Sequence, residues 1–436
     1  MLSTQYSIKN NTKGIAMIDT VYWYTPSMTQ PLRGKKYSDV VVIGGGMAGL
    51  SAAYECRKNG LSVILLEKRF CGAGASGKSS GFITPDSELD VNYFIDTFGA
   101  SAARRIWELG IRGVDHIRNT IKQYDIECDY TRQDCLAVAS TPKNFEKLHT
   151  LHHARLQLDF PSTLISKEDL GEYCGAQGYY GALSYGDTFA IRSFHYCQGM
   201  KKVLLEMGVD IYETSPALTC KQGIVTTEHG IIKADRIIIC ADWEVVDLKK
   251  LIDKVYHAQT FLMISQPLVP DMICYLFPEK LYMVWDTELI YNYFRLTGDY
   301  RLLLGGGSIF SSYDKHAAHN FSHIIKKFTT NWKNHFPHVP LKFDYIWSGL
   351  IGVSKDIRPL IGFDPHDASL YYVTACAGLP WAATLGLYAA EKIYHGRSDF
   401  DEYFSLTRSF MISGMAQKIL GTRATFAVSH FLMQKG

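Results

Sequence analysis

The sequence predicts an α/β fold (α+β overall) in which a parallel sheet is joined to a second domain, and three observations predict it. Residues 40–43 form a β-branched run, which is typical of a strand buried on both faces. A glycine-rich turn, a helical stretch and a second apolar strand follow directly, in the order of a βαβ unit. The rest of the chain mixes helical and strand patterns without repeats or low-complexity segments.

The composition is that of an ordinary globular protein. Of the 436 residues, 47% are hydrophobic and 20% are charged, which excludes a disordered or fibrous chain. The net charge of +2 supplies no long-range field for holding nucleic acid. Ten cysteines without a CxxC pair favour reduced thiols and a cytoplasmic protein. The sequence shows no signal-peptide pattern and no run of the roughly 18 apolar residues that a membrane span needs.

The turn after the first strand carries a nucleotide-binding pattern. Its residues fit G-x-G-x-x-G at Gly44, Gly46 and Gly49. The first glycine forms the tight turn, the second lets the backbone approach a pyrophosphate, and the third brings the helix close to the strand. Helix-forming residues follow at 50–58, and Met47 and Ala48 of the turn are predicted cofactor contacts beside the helix N-terminus, which attracts phosphate. The pattern predicts a Rossmann-like dinucleotide site; the alternative is a glycine-rich turn in an unrelated α/β fold.

An acidic residue ends the second predicted strand. Glu67 follows residues 61–66 and lies 23 positions after Gly44. A carboxylate at this place can accept hydrogen bonds from ribose hydroxyls. Lys68 comes directly after it, and we predict that both residues contact the nucleotide.

A second loop of small residues, 70–84, indicates which dinucleotide the site binds, FAD or NAD. An NAD domain usually runs from the acidic residue into another helix and strand, whereas here Gly, Ala and Ser predominate. Their backbone can wrap a long cofactor closely, and their N–H and hydroxyl groups can meet phosphates and ribityl oxygens. The loop favours FAD, with a flexible surface loop as the alternative. The predicted contacts are Gly74, Ala75, Ser76, Gly77, Lys78, Ser79, Ser80 and Gly81.

These motifs together resemble the FAD-dependent family of D-amino-acid oxidase, glycine oxidase and sarcosine oxidase, and are most similar to its gamma-glutamylputrescine oxidoreductase-like members. The resemblance covers residues 22–400. Besides the two glycine loops, it rests on segments that follow in the family's order: Tyr22-Trp23, Pro31-Leu32-Arg33-Gly34, Tyr293-Phe294-Arg295, residues 299–306, Trp347-Ser348-Gly349-Leu350 and residues 356–362.

The resemblance implies a discontinuous FAD-binding domain and a second, mixed β-sheet domain that binds substrate over the flavin. The expected FAD-binding segments are 36–85, 191–250 and 345–400, and the expected substrate-domain segments are 86–190 and 251–344. Residues 1–35 form an N-terminal extension and residues 401–436 a basic amphipathic tail. Further contacts with FAD are implied for Ala217, Leu218, Ala241, Arg358, Gly378, Leu379, Pro380 and Trp381.

The chain departs from the family pattern at three places. The turn before the predicted last helix, 382–395, lacks the family's histidine. Residues 349–353 contain no cysteine for covalent flavin attachment, so we expect noncovalent FAD. Leu303 stands where oxidase relatives carry an oxygen-activating lysine. The electron acceptor is therefore open between oxygen and a quinone or another acceptor.

The activity implied by the resemblance is oxidation of the C–N bond of an amine or amino acid. Hydride passes to the flavin N5 atom, and the imine product is then hydrolysed. The expected partner is thus a small-molecule substrate and not a nucleic acid. A flavin-binding scaffold or sensor without turnover is the alternative, because two residues of the family pattern are missing.

Four side chains are candidates for the chemistry. Arg295 is the candidate ligand for a substrate carboxylate, with a solvated strand charge or an ion pair with a nearby aspartate as the alternative. Tyr293, with Tyr291 and Trp381, is expected to form an aromatic cage for the amine, although most aromatic residues serve the core. Lys78 matches the family's basic residue beside the isoalloxazine, against the alternative of a surface lysine.

The C-terminal tail is basic and amphipathic. From residue 403 onward it contains no acidic residue, whereas Arg408, Lys418, Arg423 and Lys435 are basic and apolar side chains lie between them. Such a segment can lie on an anionic membrane surface, or it can pack on the protein body or on a second subunit. The oligomeric state is left open.

Overall fold

The computed structural model describes residues 17–242, 245, 248–288, 291–307 and 321–433. Residues 1–16 of the expected N-terminal extension and 434–436 of the tail, Lys435 included, lie outside the described residues. The strands are β1 Met17–Ile18, β2 Gly34–Ile43, β3 Val63–Leu66, β4 Phe82–Ile83, β5 Thr131–Arg132, β6 Asp134–Val138, β7 Thr163–Ile165, β8 Ala182–Tyr185, β9 Phe189–Ala190, β10 Asp210–Tyr212, β11 Thr219–Lys221, β12 Ile224–Thr226, β13 Gly230–Ile239, β14 Val255–Pro267, β15 Tyr282–Asp286, β16 Tyr293–Leu296, β17 Arg301–Gly306, β18 Phe343–Ser354, β19 Leu360–Asp364 and β20 Asp367–Thr374. The helices are α1 Met47–Lys58, α2 Ala75–Lys78, α3 Val91–Phe98, α4 Ala100–Tyr124, α5 Pro142–Gln157, α6 Leu170–Tyr173, α7 Ser193–Glu206, α8 Pro270–Leu276, α9 Phe321–His335, α10 Leu379–His395, α11 Asp401–Phe404, α12 Gly414–Leu420 and α13 Thr422–Met433.

The first sheet contains the parallel strands that the sequence predicts. Its order is β10-β3-β2-β13-β12-β11, with β20 paired to both β13 and β19. The pairs β10–β3, β3–β2, β2–β13 and β13–β20 are parallel, so the carboxyl ends of these strands meet at one edge. The strands come from separate stretches of the chain. The exact domain boundaries stay a prediction.

Two apolar layers cover this sheet. In β2, Val40 and Val42 face a layer that includes α1, α4 and α10, whereas Val41 and Ile43 face the opposite layer. All four side chains are buried, which explains a continuous β-branched run in place of alternation. Helix α10 begins before the predicted position 382, because Pro380 is suited to the first turn of a helix.

The second sheet is mixed, with nine strands in the order β1-β18-β14-β17-β16-β15-β6-β8-β7. Its core contains aromatic residues contributed by neighbouring elements. Phe294 of β16 lies 5.3 Å from Trp332 of α9 and 5.2 Å from Phe336, between ring centroids. A third, three-stranded sheet has the order β4-β9-β5. The expected combination of a Rossmann-like sheet and a second mixed sheet is therefore present.

The last helix of the tail packs on the protein body. Phe426 of α13 is fully buried and lies 5.4 Å from Tyr256 of β14 between ring centroids. His430 Nε2 lies 2.6 Å from the carbonyl oxygen of Ser354. Among the described helices, none is long and apolar enough to cross a membrane.

Candidate active site

The first glycine loop is packed too closely for side chains at two of its positions. Gly44 has a φ of +108°, and a Cβ atom there would collide with the carbonyl oxygen of Cys240. A Cβ at Gly49 would collide with the carbonyl oxygen of Gly44. These glycines therefore hold β2, α1 and β13 at close range. Gly46 differs, because its φ of −86° is ordinary and a Cβ would meet only the side chain of Ser76, at 3.0 Å.

Two side chains join the loops to each other and to the sheet. Glu67 accepts hydrogen bonds from the backbone N–H of Gly45 and of Arg69, each at 2.8 Å. Ser76 Oγ accepts a hydrogen bond from the backbone N–H of Met47 at 2.9 Å. The second loop is thereby attached to the first turn of α1. The sequence pattern did not indicate these bonds, because either loop could have closed on itself.

A cavity of about 1480 Å³ lies against both loops. This volume exceeds the roughly 300–1,000 Å³ of a site for one drug-sized ligand, so it can take a dinucleotide and a smaller molecule together. The predicted cofactor residues that line it are Gly44, Gly46, Met47, Ala48, Glu67, Lys68, Gly74, Ala75, Ser76, Lys78, Ser79, Ser80, Ala217, Leu218, Ala241, Gly378, Leu379 and Pro380.

Aromatic rings line another part of this cavity, which we call the aromatic chamber: Phe82, Tyr185, Trp285, Tyr291 and Tyr293. Tyr293 lies 5.6 Å from Phe82 and 5.7 Å from Tyr291 between ring centroids. Gly305 of β17 stands opposite Tyr293 in the sheet, and a Cβ there would collide with the Tyr293 ring. The absence of a side chain at position 305 therefore sets where that ring lies.

Three carboxyl groups from one loop line the cavity beside these rings. Asp86 accepts a hydrogen bond from the Tyr185 hydroxyl, and Glu88 accepts one from the Tyr291 hydroxyl at 3.0 Å. Desolvation by the surrounding protein raises the pKa of all three, although Glu88 and Asp90 are exposed residues, and the charge of Asp86 raises the pKa of Asp90 further. Sequence reasoning missed all three. The available signal was the acidic alternation at 86, 88 and 90, directly after the second glycine loop.

Comparison with known proteins identifies the family. The family model described as FAD dependent oxidoreductase matches residues 39–392. This chain belongs to the FAD-dependent oxidoreductase family. The expected family, the FAD cofactor and the assignment as an enzyme are thus confirmed.

Individual relatives are distant but cover most of the chain. The probable oxidoreductase OrdL of Haemophilus influenzae is 27% identical, over 92% of this chain and 93% of the relative. Gamma-glutamylputrescine oxidoreductase of Escherichia coli is 27% identical, over 84% of this chain and 86% of the relative. Among solved structures, glycine oxidase from Geobacillus kaustophilus has a TM-score of 0.73 at 18% identity, over 86% of this chain and 100% of that chain. The predicted fold class is confirmed.

The residues of this FAD-dependent oxidoreductase fit the cofactor. Position 46 leaves open a space that a side chain would fill, and Met47 and Ala48 bring the N-terminus of α1 to the cavity wall. The carboxylate of Glu67 is held at the end of β3 by two backbone N–H groups. Small residues of the second loop leave the cavity wide beside them. The assignment of each residue to a part of FAD stays a prediction.

Five residues predicted to contact FAD do not line the cavity: Gly49, Gly77, Gly81, Arg358 and Trp381. The three glycines instead allow close backbone packing. A Cβ at Gly49 or Gly77 would collide with the carbonyl oxygen five residues earlier in its own loop, and a Cβ at Gly81 would collide with the carbonyl oxygen of Ile191. Arg358 donates to the carboxylate of Asp356, at 3.0 and 2.7 Å. The structure therefore corrects the expected FAD contact of Arg358 to an ion pair within its own turn.

The expected cage position of Trp381 is also corrected. Its ring is fully buried, and its indole N–H donates to the carbonyl oxygen of Pro85 at 3.0 Å. The ring is stacked on Phe94, with 6.4 Å between centroids. Trp381 thus holds α10 against α3, whereas Tyr291 and Tyr293 of the expected cage do line the cavity.

Arg295 does not serve as expected either. Its side chain is fully buried and donates to the carbonyl oxygens of Ser80, Ile191 and Leu296, at 2.6, 2.8 and 3.2 Å. Burial lowers its pKa to about 10. Because backbone carbonyls occupy its donors and it does not line the cavity, Arg295 ties β16 to the second glycine loop and is not placed to bind a substrate carboxylate.

Lys78 lies at the junction of the two sheets. It lines the cavity, and its Nζ donates to the carbonyl oxygen of Ser348 in β18 at 2.9 Å. The lysine therefore connects the second glycine loop to the second sheet. Its contact with the isoalloxazine stays a prediction.

Leu303 packs in an apolar cluster beside the cavity. It is fully buried in an apolar cluster with Trp23, Phe194, Ile264 and Trp347, and it does not line the cavity. A lysine at this position would be buried among aromatic rings. The electron acceptor therefore stays open between oxygen and a quinone or another acceptor.

Proposed function

We propose that this protein oxidises the C–N bond of an amine, with FAD held noncovalently. The observation that carries the proposal is that the cofactor loops, the aromatic chamber and the three carboxyl groups all line one cavity. Aromatic faces and carboxylates both attract ammonium groups. Relatives named gamma-glutamylputrescine oxidoreductase and glycine oxidase support a nitrogen-containing substrate.

Bound FAD supplies a two-electron oxidation of the carbon next to the amine nitrogen, and water then hydrolyses the imine to a carbonyl compound and ammonia. The chain's own residues bind and orient the amine and accept the proton that its ammonium group loses. An ammonium group must lose a proton before this oxidation. Burial raises the pKa of Asp86, which makes it a better proton acceptor than an exposed carboxylate.

Noncovalent attachment of FAD is supported by the cysteines near the cavity. Cys240 and Cys376 line it. Burial raises the pKa of both thiols, which keeps them protonated and weakly nucleophilic. Acid precipitation should therefore release yellow flavin into the supernatant, whereas flavin that stays with the precipitate would contradict noncovalent binding.

The oxidation itself is tested by mixing the FAD-loaded protein with a panel of amines under anaerobic conditions. Loss of the oxidised flavin absorbance supports the proposal. A protein that takes up no FAD contradicts it. An oxidised spectrum that persists with every amine contradicts it as well, and would indicate the flavin-binding scaffold.

A second proposal concerns the electron acceptor, for which we favour a quinone at an anionic membrane surface. The tail exposes Met411, Met415 and Ile419 at 74%, 78% and 83%, beside the basic Lys418 and without an acidic residue. Helix α13 of the same tail lines the cavity through Phe431. Apolar and basic side chains together favour the interface of an anionic bilayer.

Sedimentation with anionic vesicles that contain a quinone tests this second proposal. The wild-type protein should sediment with the vesicles and reduce the quinone after reaction with an amine. Ile419→Asp should abolish sedimentation, while Met28→Asp, a matched change at a side chain 50% exposed outside the tail, should not. Equal sedimentation of both variants would refute membrane contact through the tail.

A further inference from the structure

The charges that line the cavity differ between its two parts. Around the glycine loops the charged lining residues are of both signs, with Lys68, Arg69 and Lys78 against Glu67 and Asp242. Beside the aromatic chamber, the lining carboxyl groups are Asp86, Glu88, Asp90, Asp286 and Glu288. Within the described residues, the remaining lysine or arginine of the lining is Lys147. The part of the cavity that receives substrate is thus predominantly acidic.

Two of these carboxylates have partners in the protein. Asp286 accepts hydrogen bonds from the backbone N–H and the side-chain amide of Asn292, at 3.0 and 2.7 Å. The charges of Asp286 and Glu288 both act on Lys327 and oppose the lowering of its pKa by burial. These two carboxyl groups therefore interact with residues of the protein itself, in and near the turn between β15 and β16.

Asp86 and Asp90 are opposed by positive charge. The pKa of Asp86 is raised by burial, and the nearby charge of Arg155 and the hydroxyl of Tyr185 partly reverse this. Lys147 and Arg155 act in the same way on Asp90. Both carboxyl groups are therefore partly balanced by the protein itself.

Glu88 has no such balance. Its bonding partner is the Tyr291 hydroxyl, at 3.0 Å, and no cationic side chain of the described chain acts on its pKa, which burial raises. Its side chain is exposed, but it lines the cavity and is surrounded by enough protein to be desolvated. A carboxylate that lines an open cavity without a cationic partner can pair with the ammonium group of a ligand, and the attraction strengthens as the ligand displaces water.

The same chamber offers little to a substrate carboxylate. The donors of Arg295 are occupied by backbone carbonyls, and Lys147 lies near Asp90. A carboxylate that entered the chamber would meet the like charges of Asp86 and Glu88. Like charges at short range inside a protein are strongly unfavourable.

We infer that the substrate is a diamine or longer polyamine, whose distal ammonium group pairs with Glu88 and lies against the rings of Tyr291 and Tyr293 while the other amine is oxidised. The inference rests on the proposed function, because it specifies which amine is oxidised. Glu88 is thereby the residue that determines substrate specificity. Carboxylate and aromatic faces are complementary to a second positive charge, and neither is complementary to an amino acid's carboxylate.

Three substrates of equal chain length test the inference: diaminobutane, butylamine and gamma-aminobutyrate. The measurement is kcat/KM from anaerobic bleaching of the flavin in the full-length holoenzyme. Diaminobutane should exceed butylamine by about 10- to 100-fold, as for a hydrogen bond between charged groups, and gamma-aminobutyrate should be the slowest. Equal values for diaminobutane and butylamine, or a preference for gamma-aminobutyrate, would overturn the inference.

Substitutions at position 88 locate the effect. Glu88→Gln should lower the ratio of kcat/KM for diaminobutane to kcat/KM for butylamine by about 10- to 100-fold, because only the diamine loses a contact between charged groups. Glu88→Lys should shift the preference toward gamma-aminobutyrate. The matched control is Glu127→Gln, the same chemical change at an exposed glutamate outside the cavity, which should not alter the ratio of the three substrates.

Flavin content and thermal unfolding of each variant distinguish a change in substrate specificity from a loss of FAD or of stability. If Glu88→Gln does not retain FAD, Glu88→Asp keeps the charge and should keep most of the diamine preference; its loss would then refute the role of the charge. Diaminobutane should also raise the Tm of the wild-type protein more than that of Glu88→Gln. If no amine bleaches the wild-type flavin, the proposed function fails; if amines react regardless of charge, only this inference fails.

Discussion

The two parts of the cavity are built in different ways. The glycine loops use backbone atoms from short stretches of chain, and at Gly44 and Gly49 no side chain fits. The aromatic chamber uses side chains from distant segments, since Glu88 and Tyr291 are 203 positions apart. The cofactor part is therefore determined by local backbone geometry. The substrate part depends on how the second sheet packs beside the loop that follows the glycines.

The largest effect is expected at Gly44. Gly44→Ala would place a Cβ atom against the carbonyl oxygen of Cys240 in a backbone with positive φ. Strain and overpacking together should lower the free energy of unfolding by about 3 kcal/mol or more, with loss of FAD. The matched control is Gly60→Ala, whose φ is +85° but whose Cβ would meet nothing within 4 Å. Equal losses of stability would show that the collision is unimportant.

Gly46→Val should remove FAD binding and leave the fold intact. The φ of −86° suits any residue, so the branched side chain would cause no backbone strain and would occupy the cavity where the pyrophosphate is predicted. Flavin content measures the first effect, and thermal unfolding of the cofactor-free protein measures the second. Gly171→Val, in open space outside the cavity, should retain FAD. Normal flavin content in Gly46→Val would refute the placement of the motif.

A smaller loss is expected at Glu67. Glu67→Ala removes the acceptor for the N–H groups of Gly45 and Arg69 as well as the predicted ribose contact. The FAD dissociation constant should rise by about tenfold or more, as for the loss of hydrogen bonds to a charged group. Titration of the cofactor-free protein with FAD gives this value, and Glu67→Gln should fall between Ala and wild type. Unchanged affinity in Glu67→Ala would refute the ribose contact.

The smallest effect, at Gly305, belongs to the substrate part alone. Gly305→Ala would collide with the Tyr293 ring and displace it, so KM for amines should rise by about tenfold, as for a misplaced binding group. Flavin content should not change. Tyr293→Leu should have a similar effect, and the two substitutions together should add little because both act on one ring. Full additivity would show that Gly305 acts through another contact.

Several site residues were predictable and several were not, for identifiable reasons. Lys78 and Tyr293 line the cavity as expected, because each lies beside a loop or strand that the sequence pattern had already located. Arg295 does not line the cavity, because its buried guanidinium donates to the backbone carbonyl oxygens that the fold places around it. Glu88 was missed because its importance depends on a partner from the turn before β16 and on its position in the cavity wall, neither of which is a local property.

By itself, the sequence determined the βαβ unit, its glycine loops and the class of cofactor. These features depend on short-range requirements, such as the absence of a Cβ at Gly44 and a carboxylate at the end of β3, that a few adjacent residues express. Only the tertiary structure decided that Trp381 and Arg295 belong to the core and that Asp86 and Glu88 line the cavity. The physical reason is that burial and charge pairing result from all the elements that surround a side chain, and these come together only in the folded chain.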